Sequence, residues 1–184
     1  TDGTLWCWGY NASGQVGDDS IVIAPVPTQI GSDTWASVSA GASHTCGVTR
    51  HGHLRCWGDD TSGALGDGLT QGSALVPAPT IQDDASWRSV ACGDSSTCGV
   101  RSDGAVWCWG ADFDGQLATG VIAQADPVPT AAAPQPPGGV AQVSLGGNHT
   151  CAVTRDDHLW CAGMTALGAL GDGTGTTRAP AQVN

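Results

Sequence analysis

Trp6-Cys7-Trp8-Gly9-Tyr10 opens a segment that returns as Arg55-Cys56-Trp57-Gly58, Trp107-Cys108-Trp109-Gly110 and Trp160-Cys161-Ala162-Gly163. The copies lie about 50 residues apart, a period that marks stacked supersecondary units and settles the architecture before local propensity is consulted. Upstream of the cysteines, Trp35-Ala-Ser-Val38 matches Trp87-Arg-Ser-Val90 and Val140-Ala-Gln-Val143. Gly41-Ala-Ser-His44-Thr45-Cys46, Gly93-Asp-Ser-Ser96-Thr97-Cys98 and Gly146-Gly-Asn-His149-Thr150-Cys151 follow. Downstream stand Gly14-Gln-Val16-Gly17-Asp18, Gly63-Ala-Leu65-Gly66-Asp67, Gly115-Gln-Leu117 and Gly168-Ala-Leu170-Gly171-Asp172. Each unit closes on a Pro-rich stretch, at Pro25 and Pro27, Pro77 and Pro79, Pro127 and Pro129, and Pro180.

Short strands separated by Gly and Asp turns at this spacing read as four antiparallel strands per unit. The turn Arg50-His51-Gly52-His53 sets Cys46 opposite Cys56, close enough for a bridge between neighbouring strands. Ser102-Asp103-Gly104 does the same for Cys98 and Cys108, and Cys151 and Cys161 share the separation. Metal sites space their cysteines two to four residues apart, a spacing missing from this sequence. Cys46–Cys56, Cys98–Cys108 and Cys151–Cys161 therefore read as disulfides of an oxidising, extracytoplasmic compartment, with buried free thiols as the alternative.

Composition points the same way on fold. The chain has 184 residues, with no Lys and no Glu; its 17 acidic side chains are all Asp and 28 residues are Gly. That balance favours turns over helices. A formal net charge of −11 argues against nucleic acid or an anionic membrane surface as partner. No apolar run nears the roughly 20 residues that span a bilayer.

Strand alternation places Trp107 and Trp109 on one face of a sheet and Cys108 on the other. Both faces then need cover, and sheets stacked radially about an axis supply it. Trp6, Trp8, Trp57, Trp107, Trp109 and Trp160 are expected to pack between sheets, rather than to form a ligand cage or a chromophore cluster.

Taken together, the Trp-x-x-Val, Gly-x-x-His-Thr-Cys, Cys-Trp-Gly and Gly-Gln-Leu-Gly-Asp pieces resemble the regulator of chromosome condensation repeat, in its cysteine-containing bacterial form, over essentially the whole chain. The resemblance implies an all-β fold: a β-propeller, commonly of seven blades, with four-stranded antiparallel blades around a central channel. Residues 1–34 would hold the last two strands of one blade, and 35–86, 87–139 and 140–184 would be blades of the same propeller domain. That makes about three and a half blades, half of a seven-bladed ring. Family functions include nucleotide exchange on a small GTPase, β-lactamase inhibition and ultraviolet sensing through tryptophans. The chain has no counterpart of the exchange factor's GTPase wedge or basic tail, nor of the photoreceptor's Trp-Arg-His-Thr cluster. His44 and His149 fall in the family's structural His-Thr step, where the intervening repeat has Ser96, so a hydrogen-bonding role is expected of both.

A half-ring leaves a bare blade face at each end, more apolar surface than soluble monomers usually expose. The expected partner is the remaining half of the propeller, from a longer chain or a second copy, or another protein. Cys7 lacks its hairpin partner, and Cys92 stands where the other copies have Ala40 and Leu145 on the channel-lining strand. Both are expected unpaired within this chain, Cys92 as a buried thiol.

The sequence carries no nucleophile elbow, phosphate-cradling loop or zinc-binding His motif, so no catalytic residue and no cofactor is assigned. Asp112 and Asp114 are the calcium candidates by a partial loop-like spacing. Turn capping weighs against that role, because the bidentate Glu of such loops cannot exist in a chain without Glu. The expected function is a non-catalytic, extracytoplasmic protein–protein interaction or assembly scaffold acting through propeller loops. The alternatives are a carbohydrate-binding propeller, and a hydrolase or lyase with an Asp-based site at the channel mouth.

Overall fold

The computed structural model describes residues 2–84, 86–133, 135–164, 170–171 and 177–183. Gly168 and Asp172 of the last copy lie outside the described residues. Strands β1 (Trp6–Gly9) and β2 (Ala24–Gln29) form a two-stranded ladder. The second sheet runs β3 (Trp35–Ala40), β4 (His44–Thr49), β5 (Leu54–Asp59), β6 (Ser73–Pro79). The third runs β7 (Trp87–Cys92), β8 (Ser96–Arg101), β9 (Val106–Asp112), β10 (Ala123–Ala131). The fourth runs β11 (Val140–Leu145), β12 (His149–Thr154), β13 (Leu159–Gly163), β14 (Thr177–Val183). All pairings are antiparallel between chain neighbours, the meander of a propeller blade. The Pro-rich stretches form the outermost strands, where a residue without an N–H forfeits no ladder bond.

Register is repeated as faithfully as sequence. Cys46 faces Cys56, Cys98 faces Cys108 and Cys151 faces Cys161. Each pair brings its Cα atoms to 4.1 Å in a disulfide-compatible cross-strand arrangement. The first strand of each complete sheet slips register at the same step, after Trp35, Trp87 and Val140. A bulge there bends the strand at its entry into the sheet.

The core lies between sheets. Leu5, Val16, Ala24 and Ile30 of the first ladder and its loops pack on Trp35 and Trp57 of the second sheet. Cys46, Val48, Leu54 and Cys56 of the second meet Trp87, Val90 and Trp109 of the third. Cys98, Val100, Val106 and Cys108 of the third meet Val140, Val143, Ala152 and Ala162 of the fourth. Each sheet thus turns its cysteine face to the next sheet and its tryptophan face to the one before. Trp57 and Trp109 are completely buried at these junctions, and Trp107 packs half-buried against the second.

The last junction repacks with smaller pieces. A Cβ on Gly47 would lie 2.6 Å from the ring of Trp35, and one on Gly99 would lie 2.4 Å from that of Trp87. In the fourth sheet the Gly position is Ala152 and the Trp position is Val140, so the added methyl is accommodated by the smaller neighbour. Ala162 takes the place of Trp57 and Trp109, and a small cavity beside it is lined by Val106, Cys108, Ala152 and Trp160. Trp6 and Trp8 depart from the packing expected of them. They are 48% and 62% exposed, because they sit on the face of β1 that no earlier sheet covers in this chain.

Candidate functional site

In the first three sheets the connection from the Cys-Trp-Gly strand to the outer strand leaves by the same end of the stack. It begins with one brace used three times. Asn11 Oδ1 accepts the Val16 N–H, Asp60 Oδ1 that of Leu65 and Asp112 Oδ1 that of Leu117, each at 2.9 Å. These side chains are buried, so the turn is pinned from within. The loop then reaches the outer strand of the following sheet, where Asp19 N donates to Leu75 O and Gly68 N to Pro127 O.

Pinned from inside, these loops turn apolar side chains outward. Tyr10, Ile21, Val22 and Ile23 of the first loop are 60–69% exposed, with Leu69 of the second at 59% and Phe113 and Val121 of the third at 58% and 64%. Thr61, Ser62, Thr70 and Phe113 frame a surface hollow between the second and third loops. Asp18, Asp19, Asp67 and Asp114 lie among these residues, so the face is apolar and acidic together.

Asp112 and Asp114, the calcium candidates, have separate partners. Asp112 points into its own loop toward Leu117 N–H, and burial raises its pKa. Asp114 Oδ2 instead accepts from Asn148 Nδ2 of the next sheet at 2.8 Å. The two carboxylates thus brace different contacts, one within the loop and one to the next sheet.

His44, Cys46 and Cys92 place ligand-type atoms within 4.8 Å of one another, all buried. Cys46 is already bonded to Cys56, and His44 Nε2 lies 2.9 Å from Thr97 Oγ1, whose hydroxyl donates to Ala64 O. Thr97 therefore accepts from an Nε2–H, and the ring is neutral; burial lowers its pKa to about 4. Cys92 donates to Ser39 O at 3.3 Å, and burial raises the thiol to about 12. Cys7 is half-buried and unpaired in this chain, its thiol raised by burial to about 11. His149 occupies the same step in the fourth sheet, half-buried above Gly146.

Two arrangements leave no local signal in the sequence. Asp83 accepts from His53 Nδ1 and Leu54 N–H, both at 3.0 Å, and pairs with Arg55. Arg101 pairs with Asp84 at 2.6 Å while its guanidinium lies 4.7 Å from the rings of both Trp87 and Trp107. By sequence Asp83 and Asp84 read only as turn residues, because their arginine partners belong to strands distant along the chain.

A stack of equivalent four-stranded sheets, each fastened to the one before by its second-strand threonine and, in the second and third sheets, by its third-strand tryptophan, is the architecture of a β-propeller. The chain belongs to the regulator of chromosome condensation (RCC1) repeat family: one family model matches residues 2–48 and 103–153, and a second matches 35–64, 87–116 and 140–168. It is 32% identical to the ultraviolet-B receptor UVR8 of Arabidopsis thaliana over 99% of its length and 42% of that protein's. It is 28% identical to the mitochondrial RCC1 domain-containing protein RUG3 of the same plant, over 92% of this chain and 40% of RUG3. Among solved structures, human WBSCR16 superposes with a TM-score of 0.86 at 22% identity, covering all of this chain and 49% of that one. Yeast RCC1 (Prp20), solved bound to Kap60, gives 0.85 at 20% identity, covering 99% and 45%. The chain thus spans about two-fifths of the length of these curated relatives.

Proposed function

We propose that the chain is a non-catalytic, extracytoplasmic protein-binding module whose contact surface is the apolar and acidic loop face. The observation that carries this reading is the recurrence of exposed Ile21, Val22, Ile23, Leu69, Phe113 and Val121 in equivalent loops of successive sheets. Isolated exposed apolar residues are ordinary, but a contiguous rim of them marks an interaction site. Its acidic setting suits a partner segment that combines basic and apolar side chains. The cysteine pairs support an oxidising compartment. A second occupant belongs to β1, whose free edge and neighbouring hollow are lined by Trp6, Cys7, Trp8, Val38 and Ala40. Every complete sheet carries two strands inward of its Cys-Trp-Gly strand, so this edge suits two further strands of the same repeat.

The test is site-resolved crosslinking in the native source. A photoreactive residue at Phe113 should capture one predominant protein, and the same group at His51, at the opposite end of β5, should not. Equal capture at both positions, or none at Phe113, would exclude the loop face as the contact surface.

A further inference from the structure

We propose that Asp60 is a carboxylic acid in the folded protein: its Oδ2 carries a proton and donates it to Asp67, doing in the second loop what the amide of Asn11 does in the first. This role is independent of any partner at the loop face. The three braces share an Oδ1 that accepts the amide five residues on, and they differ in the second atom of the side chain.

In the first loop that atom is Asn11 Nδ2, which donates to Asp18 Oδ1 at 3.1 Å, Ser20 O at 3.0 Å, Ser20 Oγ at 3.3 Å and Val22 O at 3.1 Å. The pocket is therefore lined with acceptors and asks for a donor. In the third loop the residue is again Asp, but Ala123 of the outer strand stands opposite it, and its backbone works against the raised pKa. The second loop has neither solution. Asp60 is 1% exposed, its Oδ2 meets no donor hydrogen, and its own N–H is used by Gly72 O at 3.1 Å. Its neighbour is Asp67, the counterpart of Asp18, with Asp59 the other charge that faces it. Asp67 folds its loop as Asp18 does, its Oδ1 accepting Leu69 N–H at 2.8 Å as Asp18 Oδ1 accepts Ser20 N–H at 3.2 Å.

An ionised Asp60 would be a buried anion with the single donor Leu65 N–H and an orphaned Oδ2, set against two like charges. A proton on Oδ2 removes the charge and makes the side chain an isostere of Asn. The contact with Asp67 is a hydrogen bond only when that proton lies between them. Burial first, then the charges of Asp67 and Asp59, raise Asp60 to about 7, against the opposing Leu65 N–H. The folded state thus keeps a proton that the unfolded chain, at its ordinary value of 3.8, has released. The contribution to stability is complete below about pH 4, is lost progressively as pH rises, and is gone above about pH 7.

Urea unfolding of the wild type and Asp60→Asn across this range tests it. The folding equilibrium constant of the wild type relative to the variant should fall about tenfold per pH unit between about pH 4 and 7, then run parallel. Asp67→Asn supplies a donor from the other side and should abolish the same slope. At about pH 5.5, the carboxyl carbon of Asp60 should still resonate as a protonated acid while exposed aspartates are ionised. Parallel stability curves throughout, or an ionised Asp60 at that pH, would overturn the proposal. So would millimolar CaCl2 raising the wild-type midpoint there but not that of Asp60→Asn, which would place a cation where the proton is assigned.

Discussion

Trp109 Nε1 donates to Ala64 O at 2.8 Å, so the third sheet is fastened by a fully buried hydrogen bond to the loop of the second. Trp57 makes the same bond to Gln15 O at 3.0 Å one junction earlier. The carbonyl in question also accepts a threonine hydroxyl from the incoming sheet: Thr45 to Gln15 O, Thr97 to Ala64 O, Thr150 to Gln116 O. Indole and hydroxyl together seat the second and third sheets on the one before, and the Thr150 hydroxyl alone does so for the fourth.

Trp109→Ala is expected to destabilise the protein by about 3–5 kcal/mol, measured by urea unfolding, since it opens a cavity in a sealed junction. Trp109→Phe should cost less. It keeps most of the ring, and Ala64 O retains the Thr97 hydroxyl, so the lost N–H accounts for only about 1 kcal/mol.

The exchange of Gly and Trp for Ala and Val in the fourth sheet predicts a coupling. Gly99→Ala alone drives a methyl into the Trp87 ring and should cost about 1–3 kcal/mol. In the background of Trp87→Val the same methyl should be tolerated, so a double-mutant cycle will show a clear favourable interaction term. Additive effects would mean that the two positions do not share space.

Alkylation under denaturing, non-reducing conditions should label two of the eight cysteines, Cys7 and Cys92. Without denaturant Cys92 should resist, because it is buried. Reduction of each bridge should lower stability by about 2–3 kcal/mol on the chain-entropy account. Labelling of further cysteines before reduction would show free thiols at the paired positions.

Acid dependence supplies a fourth test. His44 is neutral and buried with a lowered pKa, so its contribution is present above about pH 6.5 and is lost as pH falls toward about 4. Asp60 works in the opposite sense over nearly the same interval. The wild type should therefore look almost indifferent to pH there as far as these groups act. His44→Ser, which installs the residue that Ser96 supplies in the next sheet, should expose the slope of Asp60 and make stability fall as pH rises.

Much of this architecture was written in the repeat. The Cys46–Cys56 spacing implied a hairpin, the proline pairs marked outer strands, and the alternation Trp107-Cys108-Trp109 implied two covered faces. Side-chain roles within the loops were harder to read. Asn11, Asp60 and Asp112 align and all resemble turn residues, yet what distinguishes them is whether a donor reaches the second side-chain atom. That depends on how a loop closes several residues later, which neither spacing nor composition encodes. Arg101 was opaque for a similar reason: its site between Trp87 and Trp107 is assembled from three strands.

The orientation of the sheets gives the stack a direction. Val48 and Leu54, on the cysteine face of the second sheet, are 1% and 0% exposed, while their counterparts Val153 and Leu159 on the fourth are 37% and 38% exposed. Trp6 and Trp8 lie open at the other extreme. The described stack therefore shows a plug face at one end and a socket face at the other, and these differ in kind. Joining like ends would bring two sockets or two plugs together, with no tryptophan to fill the first and no groove to receive the second. Each junction within the stack is accordingly head-to-tail, and a like-to-like joint has no counterpart in it.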